Sequence, residues 1–371
     1  MVEKKVKLSV CGAYPGKIGG TTILVKQLYD YLSRSEHYTT IKCDYTEIQL
    51  NSKFGQVAII WETLKSIIKS DVVLINISKR GFEVLILPVS LAALLSKNKV
   101  IVRYFGGDAS EVYKKIFGFL SKIIHNIASK HVVIATETIE NIEYFNDHKY
   151  NVYQLTNSRP KTDVRKIKNS ENGSLCLIFM AQIKERKGVK DIIKAVSELD
   201  NVSVDFYGPM EWDIDQSLFF ENPNVTYKGV APLGSAQTVM ANYDALIFPT
   251  TYEGESHAGV VLEAFSVGLP VIGYSWKAIP EIVFHGETGL LSACDDINGL
   301  RDSIKKLRDN KNLRLNMSNN CLRTFENYFT ADASRDRIIE IIDYENSSAK
   351  SVGRPPKWQI TENNYKINES I

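Results

Sequence analysis

The chain of 371 residues is longer than one hydrophobic core usually supports, about 250–300 residues, and it therefore predicts two domains. Its 44% hydrophobic and 24% charged residues are the proportions of an ordinary globular protein. Lys and Arg number 45 and Asp and Glu number 43, which excludes an overall basic field that would recruit nucleic acid.

The cysteines and the apolar segments indicate the compartment. Five scattered cysteines, without a CxxC pair or metal-ligand spacing, favour free thiols in a reducing cytoplasm. The N-terminus leads from Lys4 and Lys5 directly into a strand-like segment, so we expect no signal peptide. The most apolar run, 84–95, is about half the roughly 20 residues of a spanning helix, and we expect a buried helix there. We predict a cytoplasmic protein that is at most peripheral at the inner face of the membrane.

Short β-branched runs alternate with longer helical patterns, which predicts parallel sheets built from βαβ units. Most of the runs are almost continuously apolar, as expected for strands that are covered on both faces. We predict strands over residues 6–11, 40–45, 72–77, 100–104, 132–135, 152–155, 175–180, 202–207, 225–227, 245–248 and 271–274. We predict helices in the second half over residues 189–199, 235–241, 261–267, 297–307 and 334–344.

These elements predict an α/β protein with two Rossmann-like, doubly wound domains. A polar segment, 158–173, separates them as a linker. We place the N-terminal domain at 1–165 and the C-terminal domain at 166–330, facing each other across a cleft that holds ligands at the carboxyl ends of the strands. A last helix, 331–345, follows. The polar tail, 346–371, is predicted to be disordered or loosely docked.

The stretch that begins at Glu255 is the most informative part of the sequence. Glu255 and Glu263 stand eight positions apart, the first in a Gly-rich turn and the second just inside an amphipathic segment. On a loop followed by a helix, the first carboxylate can reach into a cleft while the second stays near the helix start. Two such acids suit a ligand with two sets of hydroxyls, such as a nucleotide-sugar. A surface loop with two solvated acids is the alternative that this spacing alone would favour.

The Glu-x7-Glu pattern, with a Tyr-Glu-Gly before it and a Gly-Leu-Pro break after it, resembles the signature of retaining GT4-family glycosyltransferases, which have the GT-B fold. The resemblance implies that Glu263 binds ribose hydroxyls and Glu255 binds sugar hydroxyls of the donor. Gly259 and Val260 would offer backbone amides near the diphosphate. His257 lies inside the same loop and is a further donor-binding candidate. In this family the last helix crosses back to pack on the first domain.

A basic segment after the first strand of the second domain is a candidate for contacting the diphosphate. Arg or Lys can supply the positive charge that a phosphate leaving group needs. The family has an Arg followed, five residues later, by a Lys, and both touch the diphosphate. Lys187 matches the Lys, but Gln182 stands where the Arg is expected, and Arg186 is the candidate that would compensate. A solvated basic turn is the alternative.

The first domain contributes weaker candidates. A loop with Gly19 and Gly20 follows the first strand and opens a helix, where free amides can bind an anion. It resembles the loop with which the family approaches the donor diphosphate, although a tight turn is equally consistent. Asp108 is a catalytic candidate that would position the acceptor, or else a helix cap. Phe105 stands where related enzymes often have a histidine, so no histidine role carries over.

Metal and membrane contacts complete the expectations. Asp213 and Asp215 have the Asp-x-Asp spacing of metal-dependent glycosyltransferases but lie in a loop of the second domain, so we expect neither a metal nor a cofactor. A helix predicted over 111–130 combines a broad apolar face with a basic remainder. This fits an interfacial helix on anionic lipid and, slightly better, a buried domain helix.

The resemblance implies a retaining, metal-independent hexosyltransferase. It would move a sugar from a nucleotide-sugar, a UDP-sugar before a GDP-sugar, to a lipid-linked or polysaccharide acceptor in cell-surface glycan synthesis. Lys187 and the amides of the glycine loop would stabilise the departing diphosphate. Two alternatives stay open: a UDP-sugar 2-epimerase on the same scaffold, and a non-catalytic nucleotide-sugar-binding subunit, which Gln182 and Phe105 suggest.

Overall fold

The computed structural model describes residues 5–14, 20–45, 49, 51–96, 98–110, 118–166, 170–211, 214–219, 222–346, 355, 357 and 360. The chain divides into two compact units. The first unit runs to Thr156 and resumes at Ser334, and the second runs from Asn157 to Ala333. The last helix of the chain therefore belongs largely to the first unit.

The first unit is built on one parallel sheet. Its strands are β1 (Val6–Gly12), β2 (Tyr38–Asp44), β3 (Val72–Ile77), β4 (Lys99–Tyr104), β5 (Val132–Thr136) and β6 (Asn151–Gln154), in the order β2-β1-β3-β4-β5-β6. The helices between them are α1 (Gly20–Leu32), α2 (Lys53–Lys69), α3 (Lys79–Ser96), α4 (Gly118–Ala128) and α5 (Ile139–Asp147). All six residues of β3 are buried, as expected for a central strand with helices on both faces.

The second unit repeats this architecture. Its strands are β7 (Leu175–Met180), β8 (Val202–Tyr207), β9 (Val225–Gly229), β10 (Ala245–Phe248), β11 (Val271–Tyr274) and β12 (Gly289–Ser292), in the order β12-β11-β10-β7-β8-β9. Its helices are α6 (Val189–Val196), α7 (Ala236–Met240), α8 (Gly259–Ser266), α9 (Ile279–Ile282), α10 (Ile297–Arg308) and α11 (Lys311–Thr324), and α12 (Ala331–Asn346) closes the series.

Apolar side chains fill both faces of the first sheet. On one face, α2, α3, α4 and α5 pack over the sheet in one core cluster. On the other face, α1 packs together with α12, whose Ile338, Ile341 and Ile342 are buried there.

The two doubly wound domains predicted from the sequence are thereby confirmed. The predicted strands are all present, and β12 was missed because its sequence, Gly-Leu-Leu-Ser, contains no β-branched residue. All five cysteines are free thiols, as expected.

One expectation about the apolar segments needs correction. The run 84–95 is helical, but it is buried on one side only, because Leu87, Leu91 and Leu95 are exposed. The helix predicted over 111–130 is described only from Gly118, and Ile124 and Ala128 lie in the core while residues 111–117 lie outside the described residues. Within the described ranges, no helix is both long and apolar enough to cross a bilayer.

The tail contacts the rest of the chain at the few positions that the structure describes. The backbone amide of Gln154, at the end of β6, donates to the carbonyl oxygen of Lys357 at 2.9 Å. Ile360 is completely buried in the core of the second unit. These two residues are docked, and most of 346–371 lies outside the described residues.

Candidate functional site

Two loops of the second unit leave the same edge of its sheet. β7 and β10 are neighbouring parallel strands, so their carboxyl ends lie side by side. The loop after β7 contains a 3-10 turn, Glu185–Lys187, before α6 begins. The loop after β10 carries Glu255 and leads into α8. The basic segment and the Glu-x7-Glu motif are therefore brought together at this edge of the sheet.

The two loops contact each other closely at a glycine. Gly188 has φ of 78°, a left-handed conformation that glycine adopts without strain. A Cβ atom at this position would lie 2.1 Å from the carbonyl oxygen of Pro249, so only glycine fits. The amide of Thr251 donates to the carbonyl of Arg186 at 2.9 Å. These contacts fix the position of Lys187, which directly precedes Gly188.

Lys187 and Glu255 form the first ion pair of the site. Lys187 Nζ lies 2.6 Å from Glu255 Oε2, and their side chains are only 14% and 10% exposed. The hydroxyl of Thr250 donates to the same oxygen at 2.7 Å. The ammonium also lies 4.8 Å from the centre of the Tyr252 ring. Oε1 of Glu255 has no hydrogen-bond partner among the described residues, so it is available to a ligand hydroxyl.

Glu263, one helical turn into α8, forms the second ion pair. Arg159 Nε lies 2.8 Å from Glu263 Oε1, with the two side chains 17% and 25% exposed. Nη1 of Arg159 donates to Asn157 Oδ1 at 3.2 Å. Oε2 of Glu263 has no partner in the part of the chain that the structure describes. Each acid of the motif thus holds one cation and keeps one oxygen free.

The guanidinium of Arg159 lies directly over the start of α8. A Cβ atom on Gly259 would lie 1.5 Å from Arg159 Nη2, so this close approach requires a glycine. A cation beside the positive end of a helix is unfavourable unless an anion is close, and Glu263 is one such anion. The first backbone amide of α8 that donates a hydrogen bond to a preceding carbonyl is that of Val261, which donates to the carbonyl oxygen of Ala258 at 3.0 Å. The amides of Gly259 and Val260 precede it and face the beginning of the helix.

His257 has a supporting role instead of the expected donor contact. Its ring is completely buried, so it does not reach a ligand in this conformation. Nε2 lies 3.1 Å from Glu281 Oε2, and the side-chain amide of Asn157 donates to the His257 carbonyl at 2.8 Å. The ring thereby positions the loop between Glu255 and Gly259.

The other two candidates of the basic segment point outward. Gln182 is exposed, and its Oε1 accepts a hydrogen bond from Lys184 Nζ at 2.9 Å. The side chain of Arg186 is also exposed, and only its carbonyl takes part in the loop contacts described above. The structure therefore offers Arg159, in place of Arg186, as the second cation near the motif.

Of the candidates in the first unit, Asp108 is described and most of the glycine loop lies outside the described residues. Gly19 lies outside the described residues, and Gly20 is the first residue of α1. Asp108 follows β4 and accepts from Tyr104 at 3.0 Å and from Lys79 at 3.1 Å. Burial and the neighbouring Asp108 raise the pKa of Tyr104, so its phenol stays protonated and donates. Asp108 is a fixed anion on its own unit.

Of the two aspartates with Asp-x-Asp spacing, the structure describes one. Asp213 lies outside the described residues, and Asp215 accepts the amide of Ser217 at 2.9 Å in a local turn. Within the described ranges, no three His, Cys, Asp or Glu residues cluster as metal ligands.

Arg159 and Thr250 are the site residues that the sequence did not reveal. Arg159 falls in the polar segment predicted to be a linker, and its proximity to Gly259 depends on tertiary contacts alone. Its backbone is held by the amide of Arg159 donating to Phe329 and by Ala331 donating back, each at 2.9 Å.

The site lies in a region that matches a known protein family. The model of the family "Glycosyl transferases group 1" matches residues 160–323, which include Lys187 and both acids. The matched region coincides with most of the second unit.

Similar sequences include two glycosyltransferases. The capsular polysaccharide biosynthesis glycosyltransferase CapM of Staphylococcus aureus is 27% identical over 195 residues, 50% of each chain. The chain thus spans about half the length of this relative. An uncharacterized glycosyltransferase of Methanocaldococcus jannaschii is 23% identical over 359 residues, 84% of this chain and 91% of that one.

Similar structures confirm the GT-B fold. HepE of Anabaena, in complex with UDP and glucose, is 15% identical with a TM-score of 0.65, over 91% of this chain and 99% of that chain. The lipopolysaccharide outer core galactosyltransferase WaaB in its apo form is 14% identical with a TM-score of 0.70, over the same shares.

Proposed function

We propose that the protein is a retaining glycosyltransferase of the GT4 type that moves a hexose from a UDP-sugar to a glycan or lipid-linked acceptor. One observation carries this proposal. Glu255 and Glu263 each have one oxygen held by a cation and one free to accept from a ligand hydroxyl. A ligand that joins two sets of hydroxyls through a diphosphate has the groups that match both the acids and the cations.

In this proposal each group of the donor has its own partner. Glu263 Oε2 accepts from the ribose hydroxyls, and Glu255 Oε1 accepts from hydroxyls of the transferred sugar. The diphosphate binds near the start of α8, where the amides of Gly259 and Val260 add to the charges of Lys187 and Arg159. Lys187 and Arg159 then gain a phosphate partner in addition to their carboxylates.

The same groups account for the chemistry. The bond between the anomeric carbon and the diphosphate oxygen breaks, and its electron pair leaves with the diphosphate. Cations already fixed in position stabilise this growing negative charge without reorganisation. The acceptor oxygen bonds to the anomeric carbon on the face that the diphosphate leaves. The acceptor proton goes to a leaving-phosphate oxygen, so the transfer uses no separate general base. We propose that side chains replace a metal ion in this role.

The donor and acceptor classes rest on similarity. HepE has been crystallised with UDP and glucose, which supports a UDP-sugar. The names of CapM and of the galactosyltransferase WaaB refer to capsular polysaccharide and to lipopolysaccharide. Both are cell-surface glycans, and this supports a glycan or lipid-linked acceptor for the present chain.

A product analysis tests the proposal. The protein is incubated with UDP-glucose, UDP-galactose or UDP-N-acetylglucosamine and a panel of lipid-linked and oligosaccharide acceptors, with and without EDTA. We expect NMR of the product to show the donor's anomeric configuration, at a rate that EDTA does not change. An epimer formed without acceptor would instead identify a 2-epimerase. UDP binding without any turnover would identify a binding subunit, in keeping with Gln182 and Phe105.

A further inference from the structure

The outward side of α2 and α3 carries apolar side chains where polar ones are expected. The inward side of each helix packs into the core of the first unit, for example through Ile59 in α2 and Phe82 in α3. A helix with one buried side normally presents polar residues on the other. Here six exposed apolar side chains, which we call the apolar face, lie on the outward side: Phe54, Trp61, Ile68, Leu87, Leu91 and Leu95.

The apolar face forms a stripe on each helix. Phe54, Trp61 and Ile68 recur every seven residues, and the three leucines recur every four, so each set lies along one side of its helix. Phe54 is 92% exposed and Leu95 is 84% exposed, so their own unit covers little of either residue. Single exposed apolar residues are ordinary, but contiguous ones mark a surface that binds something apolar.

The two stripes belong to one surface. α2 connects β2 to β3, and α3 connects β3 to its neighbour β4. Right-handed crossovers place both helices on the same face of the sheet, and the two helices pack directly against each other. Their outward sides therefore point the same way.

Charge indicates the partner. α2 and α3 together carry five basic and two acidic residues, and with Asp108, which pairs with Lys79 at 3.1 Å, the net charge of these groups is +2. That equals the net charge of the whole chain. Lys53 and Lys69 stand at the two ends of α2, and Lys65 Nζ lies 5.3 Å from the centre of the Trp61 ring. Two copies of this basic face would repel each other. An anionic bilayer offers hydrocarbon to the stripes and phosphate to the lysines.

We propose that the apolar face is a docking surface for anionic lipid bilayers. The helices lie in the interface, with Trp61 and Phe54 at the level of the headgroups and the lysines extending to lipid phosphates. This surface differs from the helix predicted over 111–130, whose described part contributes Ile124 and Ala128 to the core. The proposal does not depend on which sugar or acceptor the second unit serves.

Vesicle sedimentation tests the docking surface. The full chain is mixed with vesicles of phosphatidylcholine alone, or with phosphatidylglycerol added at about one lipid in three, and pelleted at rising salt. We expect pelleting with the anionic vesicles, and less of it as salt shortens the screening length to about 8 Å at 0.15 M. No pelleting of the unmodified protein under any of these conditions would overturn the proposal.

Matched variants locate the surface. Trp61→Ser with Leu91→Ser and Leu95→Ser should reduce the bound fraction by about tenfold or more, because the apolar contact with lipid is lost. Val230→Ser with Leu233→Ser, which alters two apolar residues that are 66% and 77% exposed on the second unit, is the control and should bind normally. Equal binding by the triple variant and its control contradicts the proposal.

Charge variants and a self-association experiment separate the remaining outcomes. Lys65→Glu with Lys69→Glu should weaken pelleting strongly, while Lys194→Glu with Lys306→Glu, on the second unit, should not. Analytical ultracentrifugation without lipid is expected to show the same mass for the unmodified chain and the triple variant. A dimer that the triple variant abolishes would show that a second copy covers this face, and would overturn the lipid proposal.

Discussion

The two units place very different side chains at the surfaces that their similar sheets create. In the second unit, the loops after β7 and β10 gather two ion pairs, Lys187–Glu255 and Arg159–Glu263. In the first unit, the loop after β4 leads to one carboxylate, Asp108, which two neighbouring side chains hold. Its distinctive surface is the apolar face on α2 and α3. A shared architecture thus leaves the chemistry of each unit to its loops and its outward helix sides.

The second unit holds the cations that would stabilise the departing diphosphate, and the largest expected effect comes from removing Lys187. Lys187→Ala should lower turnover by about 10²–10³-fold, the cost of losing one fixed electrostatic donor. Lys184→Ala, which removes a lysine of the same loop that contacts Gln182 instead of the acids, should change turnover little. Steady-state kinetics with a UDP-sugar measure both. Similar kinetics for the two variants would remove Lys187 from the mechanism.

Arg159 stands in the segment that joins the two units in sequence, and its replacement tests whether this segment contributes to UDP binding. Arg159→Ala should weaken UDP binding by about 10–100-fold, since a hydrogen-bonded charge contributes about 1.5–3 kcal/mol. Gly259→Ala should reproduce much of this loss, because the three atoms nearest to the new methyl group all belong to the guanidinium of Arg159. Isothermal titration with UDP measures both variants.

The control for Arg159 comes from the same segment. Arg165 is exposed, and within the described residues its guanidinium donates to the carbonyl oxygens of Thr162 and Val164, at 2.9 and 3.2 Å. Arg165→Ala should bind UDP normally. If Arg165→Ala weakens binding as much as Arg159→Ala, the effect is general electrostatics and not a contact at α8.

The pH dependence of stability is expected to arise in the first unit. Burial, with the neighbouring His148, lowers the pKa of His125 from 6.5 to about 3. Between these values the unfolded chain binds a proton that the folded chain does not, so stability falls as pH falls below about 6.5. His125→Gln should flatten this dependence in urea unfolding curves, whereas His37→Gln, at an exposed position, should leave it unchanged. An unaltered slope in His125→Gln would refute this origin.

Much of the second unit could be predicted because its site lies at strand ends. Alternating apolar runs locate β7 and β10, and adjacent parallel strands bring Lys187 and Glu255 to one edge. The pairing of Arg159 with Glu263 was not predictable, because it joins residues 104 positions apart through a segment with no periodic pattern. The buried ring of His257 was missed for a similar reason, since its partner Glu281 comes from another loop.

In the first unit, apolar composition predicted burial where the structure shows exposure. The run 84–95 contains no charged residue on any side of α3. The sequence therefore gives no signal that distinguishes the inward side of this helix from its outward side. Phe54 and Trp61 likewise have the helical spacing of a core stripe. Hydrophobic spacing identifies the side of a helix that avoids water, but whether protein or lipid covers that side depends on the neighbouring elements.

The division of labour between the two acids is the central claim, and nucleotide titrations of their variants test it most directly. Isothermal titration compares UDP with the UDP-sugar for Glu263→Ala, Glu255→Ala and the unmodified chain. We predict that Glu263→Ala weakens UDP itself by about 1–3 kcal/mol, because the ribose hydroxyls lose their acceptor. Glu255→Ala should leave UDP affinity nearly unchanged and weaken only the additional affinity that the sugar provides. Equal losses of UDP affinity in the two variants would contradict the claim.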